Sequence, residues 1–383
     1  MSSPPAAPDT RRPDAGPPLR VIGPVSSPRV ARLTRQFLAL AEASGRSLAQ
    51  RDTLADGDGA SKHYLRRVLR NLTAAVDLLL SSPPDRGASA VLVVGDRFDR
   101  RLLLPVALAA RVRRHRTLVL HAAAGEYLDR VGPVLRTLCA LTGPADAHVL
   151  PCPEVASRFR WVYRTTRRCL SLPALPPVTS IPPPPGLDGL PSRPGSPAPR
   201  SHSDAPGTLT RPEDSPPSPA PGLGRGEQDK LRLGCLAASP TGGRAKTAAD
   251  TLDELTRRGE SCELVMGHPD DDPAAFVARI DVLLHPHHDP GDPRPRVVSE
   301  ALLAGVPVIA LGGPCIRSVI GKDGGHVVEQ SDVFARKAMR LVAGYLHGQG
   351  GLPAAADAAR RQGQAVATES RHQAQALLAI IAG

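Results

Sequence analysis

Residues 281–313 read DVLLHPHHDPGDPRPRVVSEALLAGVPVIALGG, and this stretch decides the fold of the second half of the chain. The apolar run Val282–His285 predicts a buried strand, which is followed by a loop that carries an acidic residue. A helix is predicted around Val298–Leu303, and Gly305 marks a tight turn into the next buried strand, Val306–Leu311. Strand, helix and strand at this spacing are typical of one unit of a parallel α/β sheet.

The chemistry of this stretch suits a sugar nucleotide. The N-terminus of the predicted helix offers free N–H groups and the positive end of the helix dipole, which favour a phosphate. Glu300 lies about two turns into the run, where its carboxylate is placed to accept hydrogen bonds from ribose hydroxyls. Asp292 lies eight residues earlier in the loop, where it is placed to contact a sugar beyond the phosphates. We therefore predict a nucleotide-sugar site at an inter-domain cleft.

The start of the chain has the same alternation of strand and helix. Leu19–Ile22 predicts a strand and Gly23 a turn. The spacing of the next apolar residues predicts one face of a helix that includes Val30, Leu33 and Phe37. Strand, glycine turn and amphipathic helix open a Rossmann-like unit. Because the alternation continues in both halves, we predict an α/β protein with two facing Rossmann-like domains.

A proline-rich segment separates the two halves. Residues 172–228 are rich in Pro, Ser and Gly and include the run Pro182–Pro185, so they hold too little apolar surface to order themselves. We predict that this segment is a long flexible linker. The predicted organisation is a disordered tail at 1–18, a first domain at 19–171, the linker at 172–228, a second domain at 229–346 and a C-terminal helical segment at 347–383.

Positive charge is concentrated in the first half of the chain. The 383 residues carry 48 Lys and Arg against 37 Asp and Glu, a formal net charge of +11. Residues 1–170 alone hold 27 basic and 14 acidic side chains, a net charge of +13. This balance suggests an anionic partner, and we predict peripheral contact with a membrane surface. Arg158–Arg168, which includes Trp161 and Tyr163, is a candidate region for that contact, whereas nucleic-acid binding is not predicted.

Several classes of protein are excluded by simple features. No apolar run approaches the roughly 18 residues of a spanning helix, and residues 1–20 contain no apolar signal core. The six cysteines are scattered without a Cys-x-x-Cys pair, which favours reduced thiols in a cytoplasmic protein. The histidines of 285–289 are not predicted to bind a metal, because Pro286 fixes an extended loop and the spacing does not match a helix-borne zinc pair.

The stretch 292–308 resembles the acid-x7-acid signature of retaining GT-B glycosyltransferases of the glycosyltransferase group 1 type. The residues that match the common form of that signature are Pro293, Arg296, Val297, Glu300, Ala301, Gly305, Pro307 and Val308. The chain departs from it at Asp292, which replaces Glu, at Arg294, which replaces an aromatic residue, and at Pro295, which replaces Gly. Pro295 removes one backbone N–H that such enzymes can offer to phosphate, and Arg294 or Arg296 can compensate with charge.

Weaker matches extend the resemblance over both halves. Gly23 is similar to the strand-turn glycine near the donor phosphate, and His121 to the histidine that lines the sugar site. Lys246 or Arg244 is placed like the lysine that grips the pyrophosphate, whereas Cys235 replaces the arginine that accompanies it. The resemblance also implies that the C-terminal helix packs back across the cleft.

What the resemblance implies is transfer of a sugar from a nucleotide-sugar donor to an acceptor, with retention of the anomeric configuration. It implies a GT-B fold, a nucleotide-sugar site in the second domain and an acceptor site in the first. The implied catalytic residues are Asp292, Glu300 and His121, and the implied donor-binding residues are Gly23, Arg244, Lys246, Arg294, Arg296, Val297 and Glu300. Neither a metal ion nor a cofactor is implied, because basic groups stabilise the leaving diphosphate.

The departures from the signature leave an alternative open. A GT-B-like subunit that binds a nucleotide sugar or a partner without catalysis would tolerate Pro295 and Cys235, whereas an enzyme loses roughly 10²–10³-fold in rate with each missing stabilising donor.

Overall fold

The structure, a computed structural model, describes residues 18–25, 28–53, 60–81, 88–95, 97–122, 132–143, 146–174, 230–239, 241–287 and 294–382. The predicted tail up to residue 17, the linker from residue 175 and Asp292 lie outside these residues. The two α/β sheets belong to one compact unit.

The first domain is built on a six-stranded parallel sheet. Its elements are β1 (Leu19–Gly23), α1 (Pro28–Ala43), β2 (Leu48–Asp52), α2 (Ala60–Leu80), β3 (Ala90–Val94), α3 (Arg97–Leu102), α4 (Leu104–Val112), β4 (Thr117–His121), α5 (Pro133–Leu141), β5 (Ala147–Leu150), α6 (Pro153–Tyr163) and β6 (Arg168–Ser171). The strand order is β2-β1-β3-β4-β5-β6, and every pair is parallel. All residues of β3, β4 and β5 are buried, because helices cover both faces of the sheet.

The second domain is built on a five-stranded parallel sheet. Its elements are β7 (Leu231–Leu236), α7 (Gly243–Arg257), β8 (Cys262–Gly267), α8 (Pro273–Val277), β9 (Val282–His285), α9 (Arg296–Ala304), β10 (Val308–Leu311), α10 (Pro314–Ile320), β11 (Gly325–Val328), α11 (Phe334–His347) and α12 (Gly351–Ala382). The strand order is β11-β10-β9-β7-β8. Gly305 ends α9 in the left-handed conformation (φ +78°), so the predicted turn into the next strand is confirmed.

The long C-terminal helix α12 connects the two domains. Gly363 lies so close to α9 that a Cβ atom there would be 2.5 Å from the carbonyl carbon of Leu302. Further along the helix, Leu377 and Ile381 are fully buried in the core that α1 forms with the first sheet. The hydroxyl of Ser370 accepts a hydrogen bond of 3.0 Å from the N–H of Ala174, just after β6. The helix therefore returns to the first domain, as the resemblance implied.

The predicted pair of Rossmann-like α/β domains is confirmed by this topology, and the last helix packs on the first domain. Three strands were not predicted, namely β2, β6 and β11, and each lies at an edge of its sheet. Among the described residues, none of the helices has the length and apolar character needed to cross a lipid bilayer.

Candidate functional site

Both sheets have a topological switch point, which is where open α/β sheets bind ligands. In the second sheet the chain passes from β7 to β8 on one side and then to β9 on the other side of β7. In the first sheet the corresponding strands are β1, β2 and β3. The predicted residues Gly23, Arg244 and Arg296 follow or end β1, β7 and β9 respectively, so the sequence-predicted positions lie at these two switch points.

The carboxyl edges of the two sheets meet through Arg294. The Nη1 atom of Arg294, in the segment after β9, donates to the carbonyl oxygen of Pro151 at 3.1 Å and of Leu172 at 2.6 Å. Pro151 and Leu172 directly follow β5 and β6, which are strands of the first sheet. Nearby, Cys315 of α10 is buried in the same core as Cys152, the N-cap of α6. The site therefore lies where the carboxyl edges of the two sheets come together.

Arg294 was predicted to bind the donor phosphate, and the structure places it in this domain contact. Burial lowers the pKa of its guanidinium, and the nearby thiols of Cys152 and Cys315 act in the opposite direction. Its Nε atom has no hydrogen-bond partner among the described residues. A buried guanidinium with two backbone acceptors stabilises the contact between the domains. These contacts do not support the predicted role of Arg294 in donor binding.

The start of α9 combines a helix N-terminus with an ion pair. Pro295 is the N-cap residue, and its carbonyl oxygen accepts a hydrogen bond of 3.0 Å from the N–H of Val298, which leaves the N–H groups of Arg296 and Val297 without an acceptor within the helix. Arg296 donates from Nε to Oε1 of Glu300 at 3.0 Å, one turn along the helix. The Glu300 side chain is 18% exposed, so it is not fully covered by the protein. Val297 is buried in the core, so only its backbone is placed for ligand contact.

The start of α7 carries the other two predicted basic residues. Gly242 is the N-cap, Arg244 lies in the first turn and is half-buried, and Lys246 is exposed. Cys235 is an interior residue of β7, and burial raises the pKa of its thiol to about 12. A thiol in that state is neutral, so Cys235 cannot supply the positive charge of the arginine it replaces in the resemblance.

Gly23 ends β1 at a position where a side chain does not fit. Its φ is +148°, and a Cβ atom there would be 2.5 Å from the carbonyl oxygen of Val93 in β3. Its own carbonyl accepts hydrogen bonds of 2.9 Å from the N–H groups of Val25 and Thr53. Glycine is therefore required by the close approach of two strands, and donor contact at Gly23 stays a prediction.

His121 is buried in the core of the first domain. It is the last residue of β4, has no exposed surface, and its Nε2 atom lies 2.9 Å from Nδ1 of His148 in β5. Both rings contact Phe159 of α6 in a tilted arrangement, with centroids 4.6 and 5.1 Å away. Burial lowers the pKa of both imidazoles, that of His148 to about 4, so the pair is neutral near pH 7. In this structure His121 faces the core of the first domain. Its contacts do not support the predicted role in the sugar site.

His148, Pro151 and Leu172 were missed by sequence reasoning. His148 follows Ala147 in a strand that was predicted, and a histidine in the middle of an apolar strand is a signal for a buried polar partner. Pro151 and Leu172 contribute backbone carbonyls, which no side-chain pattern reveals. Across the ranges that the structure covers, no three His, Cys, Asp or Glu side chains are grouped as a metal site.

Neither a family model nor a curated protein matches the chain. Among solved structures it is similar to Anabaena HepE in complex with UDP, at 12% identity over 94% of this chain and 99% of that chain, with a TM-score of 0.48. It is also similar to a sucrose-phosphate synthase from Thermosynechococcus elongatus (13% identity, 94% and 95% covered, TM-score 0.44). A third is the glycosyltransferase SnogD from Streptomyces nogalater (15% identity, 94% and 99% covered, TM-score 0.34). These similarities are too low to transfer any residue role to this chain.

Two helix starts and three basic residues lie at the same edge of the second sheet. The helices α7 and α9 begin after the adjacent parallel strands β7 and β9, so both positive dipole ends lie at one edge of the sheet. Arg244, Lys246 and Arg296 add charge to these helix starts. Glu300 supplies a carboxylate acceptor one turn behind Arg296. Such a set can hold a phosphate group next to a polyhydroxylated group.

Proposed function

We propose that the chain is a retaining glycosyltransferase that transfers a sugar from a nucleotide-sugar donor to an acceptor hydroxyl. One observation carries the proposal: the starts of α7 and α9, with Arg244, Lys246, Arg296 and Glu300, lie at the switch point of the second sheet. The contact of Arg294 with the carboxyl edge of the first sheet supports a site that the first domain closes from the other side.

In the proposed reaction each group has a defined task. The N–H groups of the two helix starts and the side chains of Arg244 and Lys246 bind the diphosphate, and Glu300 accepts hydrogen bonds from the ribose hydroxyls. The bond between the anomeric carbon and the diphosphate oxygen breaks, and the acceptor oxygen bonds to that carbon on the same face. The acceptor proton passes to the leaving phosphate oxygen. Asp292 is proposed to contact the sugar hydroxyls, and His121 is left out because it is buried.

Charge stabilisation of the leaving group is the main catalytic effect in this proposal. Helix dipoles and fixed basic side chains are already oriented before the reaction, so they favour the charge that develops on the diphosphate. The proposed chemistry therefore uses neither a metal ion nor a cofactor, and the nucleotide sugar is a substrate.

A second candidate function is nucleotide-sugar binding without catalysis. Two observations favour it: the guanidinium of Arg294 is held by first-domain carbonyls, and Cys235 is a buried neutral thiol. Both positions then contribute less charge to a leaving diphosphate than the resemblance implies.

The experiment that tests both candidates is a panel of uridine, guanosine, adenosine and thymidine diphosphate sugars. Thermal stabilisation by one of them, together with release of its nucleotide in the presence of an acceptor extract, supports the transferase. Stabilisation without release under any acceptor condition supports the non-catalytic subunit. If none of these compounds raises the melting temperature, the donor site is refuted.

Glu300→Gln is the variant that locates the donor site. Losing a charged acceptor for ribose hydroxyls costs about 1.5–3 kcal/mol, so nucleotide-sugar affinity should fall about 10–100-fold. Glu254→Gln is the matched control, since Glu254 on α7 also pairs with arginines close in sequence, Arg257 at 2.6 Å and Arg258, just after the helix, at 3.8 Å. The control should keep wild-type affinity. Equal affinity in the Glu300→Gln protein, measured by titration calorimetry, would remove Glu300 from the site.

A further inference from the structure

Exposed apolar side chains are concentrated on one part of the first domain. Ten large hydrophobic side chains are exposed in the described part of the chain, and nine of them lie on helices of the first domain. The nine are Leu65, Leu69, Leu72, Val76, Leu79, Leu80, Leu108, Val112 and Trp161. The tenth, Met266, lies on β8 in the second domain. Exposed apolar residues scattered over a surface need no explanation, whereas a set on neighbouring helices indicates an interaction surface.

Most of these residues form a stripe along α2. Leu65, Leu69, Leu72, Val76 and Leu79 recur at alternating intervals of four and three residues, which places them on one side of the helix. Their exposed fractions range from 40% to 63%. The opposite side of α2 is buried against the sheet. The outer side of α2 thus carries five large apolar residues, which is unusual for a helix that faces water.

The stripe belongs to a wider face of the domain. Buried residues of α2, α4, α5 and α6 share one core on the same face of the first sheet, so the outer sides of these helices form one surface. We call this surface the outer helical face. Arg113, just after α4, donates from Nη2 to the carbonyl oxygen of Ser81 just after α2, at 3.5 Å, so these two helices end side by side. Leu108 and Val112 extend the exposed apolar set on α4.

Trp161 is the most exposed of these apolar residues. It lies on α6, its side chain is 81% exposed, and it is the single tryptophan of the chain. Of the three aromatic residues in the basic region 158–168, Phe159 and Tyr163 are buried in the core, so only Trp161 is presented to the outside.

The charges of the outer helical face are almost all positive. Exposed arginines on its four helices or in the turns that follow them are Arg66, Arg111, Arg113, Arg114, Arg136, Arg158, Arg160 and Arg164. The exposed acidic residues in the described parts of the same helices are Asp77 and Glu154, and Asp77 pairs with Arg51 of β2. An apolar surface bordered by arginines is complementary to a layer that is apolar inside and negatively charged outside.

We propose that the outer helical face docks on the surface of an anionic lipid bilayer. The leucine and valine side chains of α2 and α4 and the ring of Trp161 enter the boundary between headgroups and acyl chains. The surrounding arginines contact lipid phosphates. A second copy of the chain is a poorer occupant, because a two-fold contact through this face would bring arginines against arginines. The docked face lies on helices of the first domain, on a different surface from the proposed donor site.

Vesicle co-sedimentation of the full chain tests the proposal. Vesicles of equal parts phosphatidylcholine and phosphatidylglycerol should bind the protein, and vesicles of phosphatidylcholine alone should bind it at least about tenfold more weakly. Binding to the anionic vesicles should also fall in about 1 M salt, where the screening length is about 3 Å. Failure to bind the anionic vesicles overturns the proposal, and it leaves the donor-site experiment unaffected.

The Leu69→Gln/Val76→Gln protein tests the face itself. Both side chains are exposed, so the fold is kept, and far-ultraviolet circular dichroism checks it. Each lost apolar contact should lower the partition coefficient about tenfold. Met266→Gln, which removes the exposed apolar residue of the other domain, should bind like the wild type. Equal binding by the double variant overturns the proposal.

Trp161 gives an independent spectroscopic readout. Its emission should shift to shorter wavelength when anionic vesicles are added, and brominated lipid should quench it. Light scattering in the absence of vesicles measures whether the protein is a monomer or a dimer, and so tests whether a second copy covers the face. A dimer that the Leu69→Gln/Val76→Gln change dissociates would assign the face to a second copy and overturn the lipid proposal.

Discussion

The buried pair of His121 and His148 makes the stability of the first domain depend on pH. Neither ring is exposed, and the two share a 2.9 Å contact between Nε2 and Nδ1. Burial and, to a smaller extent, the charge of Arg167 lower the pKa of His148 from 6.5 to about 4. The pKa of His121 is also lowered, first by burial and then by His148 and Arg100. Both imidazoles are therefore neutral in the folded protein over a range where the unfolded chain binds protons.

The sign and size of the effect follow from this difference. Below pH 6.5 the unfolded state binds more protons than the folded state, so the free energy of unfolding decreases as the pH falls. The contribution is fully present above pH 6.5 and is lost towards pH 4. At about 1.4 kcal/mol per pH unit, His148 alone accounts for about 3 kcal/mol over that interval. A typical domain is stable by about 5–15 kcal/mol, so this loss is a large fraction of the total.

The test compares the wild type with His121→Leu/His148→Leu in urea unfolding followed by circular dichroism. Replacing both partners leaves no orphaned ring nitrogen between them, so the variant should fold. Between pH 7 and pH 5 the wild type should lose about 2–4 kcal/mol more than the double variant. Hydrogen exchange at β4 and β5 assigns the loss to the first domain. His372→Gln, on the exposed side of α12, should behave like the wild type. Equal pH dependence in the wild type and the double variant would refute the reasoning.

Two further predictions concern the contacts between domains. Gly363→Ala should lower the free energy of unfolding by about 1–3 kcal/mol, because the new Cβ meets the backbone of α9 at 2.5 Å. The control Gly344→Ala, in a helix with open space around it, should raise the free energy of unfolding by about 0.5–1 kcal/mol. Thermal melting measures both variants, and an unchanged melting temperature for Gly363→Ala would contradict the prediction. Arg294→Ala should lower the free energy of unfolding by about 2–4 kcal/mol, because it removes two charged hydrogen bonds between the domains. The control Arg317→Ala removes an exposed ion pair and should lower the free energy of unfolding by at most about 1 kcal/mol. Similar urea midpoints for the two variants would contradict the stabilising role of Arg294.

Central strands and amphipathic helices could be predicted from the sequence. The run Ala90–Val94 is apolar throughout because helices cover both faces of β3, so its burial is visible in its composition. The spacing of Val30, Leu33 and Phe37 likewise predicts α1, and all three residues are buried.

Edge strands could not be predicted in the same way. The strand β2 reads LAQRD, and it has no run of apolar residues because it pairs on one side only and is partly exposed. The strands β6 and β11 also lie at sheet edges, and polar residues occupy part of each. Their backbone pairing, rather than a periodic pattern, places them in the sheets.

The sequence predicts where the candidate site residues lie along the strands and helices, but it does not predict the hydrogen bonds that they make. The sequence places Arg244, Lys246 and Arg296 at helix starts after apolar strands, and parallel topology then brings those starts to one edge. It cannot state that Arg294 binds carbonyls of the other domain, because the acceptors are backbone atoms more than a hundred residues away.

By itself, then, the sequence determines two parallel α/β domains, through the alternation of apolar strands with amphipathic helices, and it predicts the helix α9 after the strand β9. Only the tertiary structure decides that His121 is a core residue, that Arg294 joins the domains and that the apolar residues of α2 face outwards. The physical reason is that periodicity records which side of an element is apolar, whereas partners distant in the sequence decide which surfaces are covered.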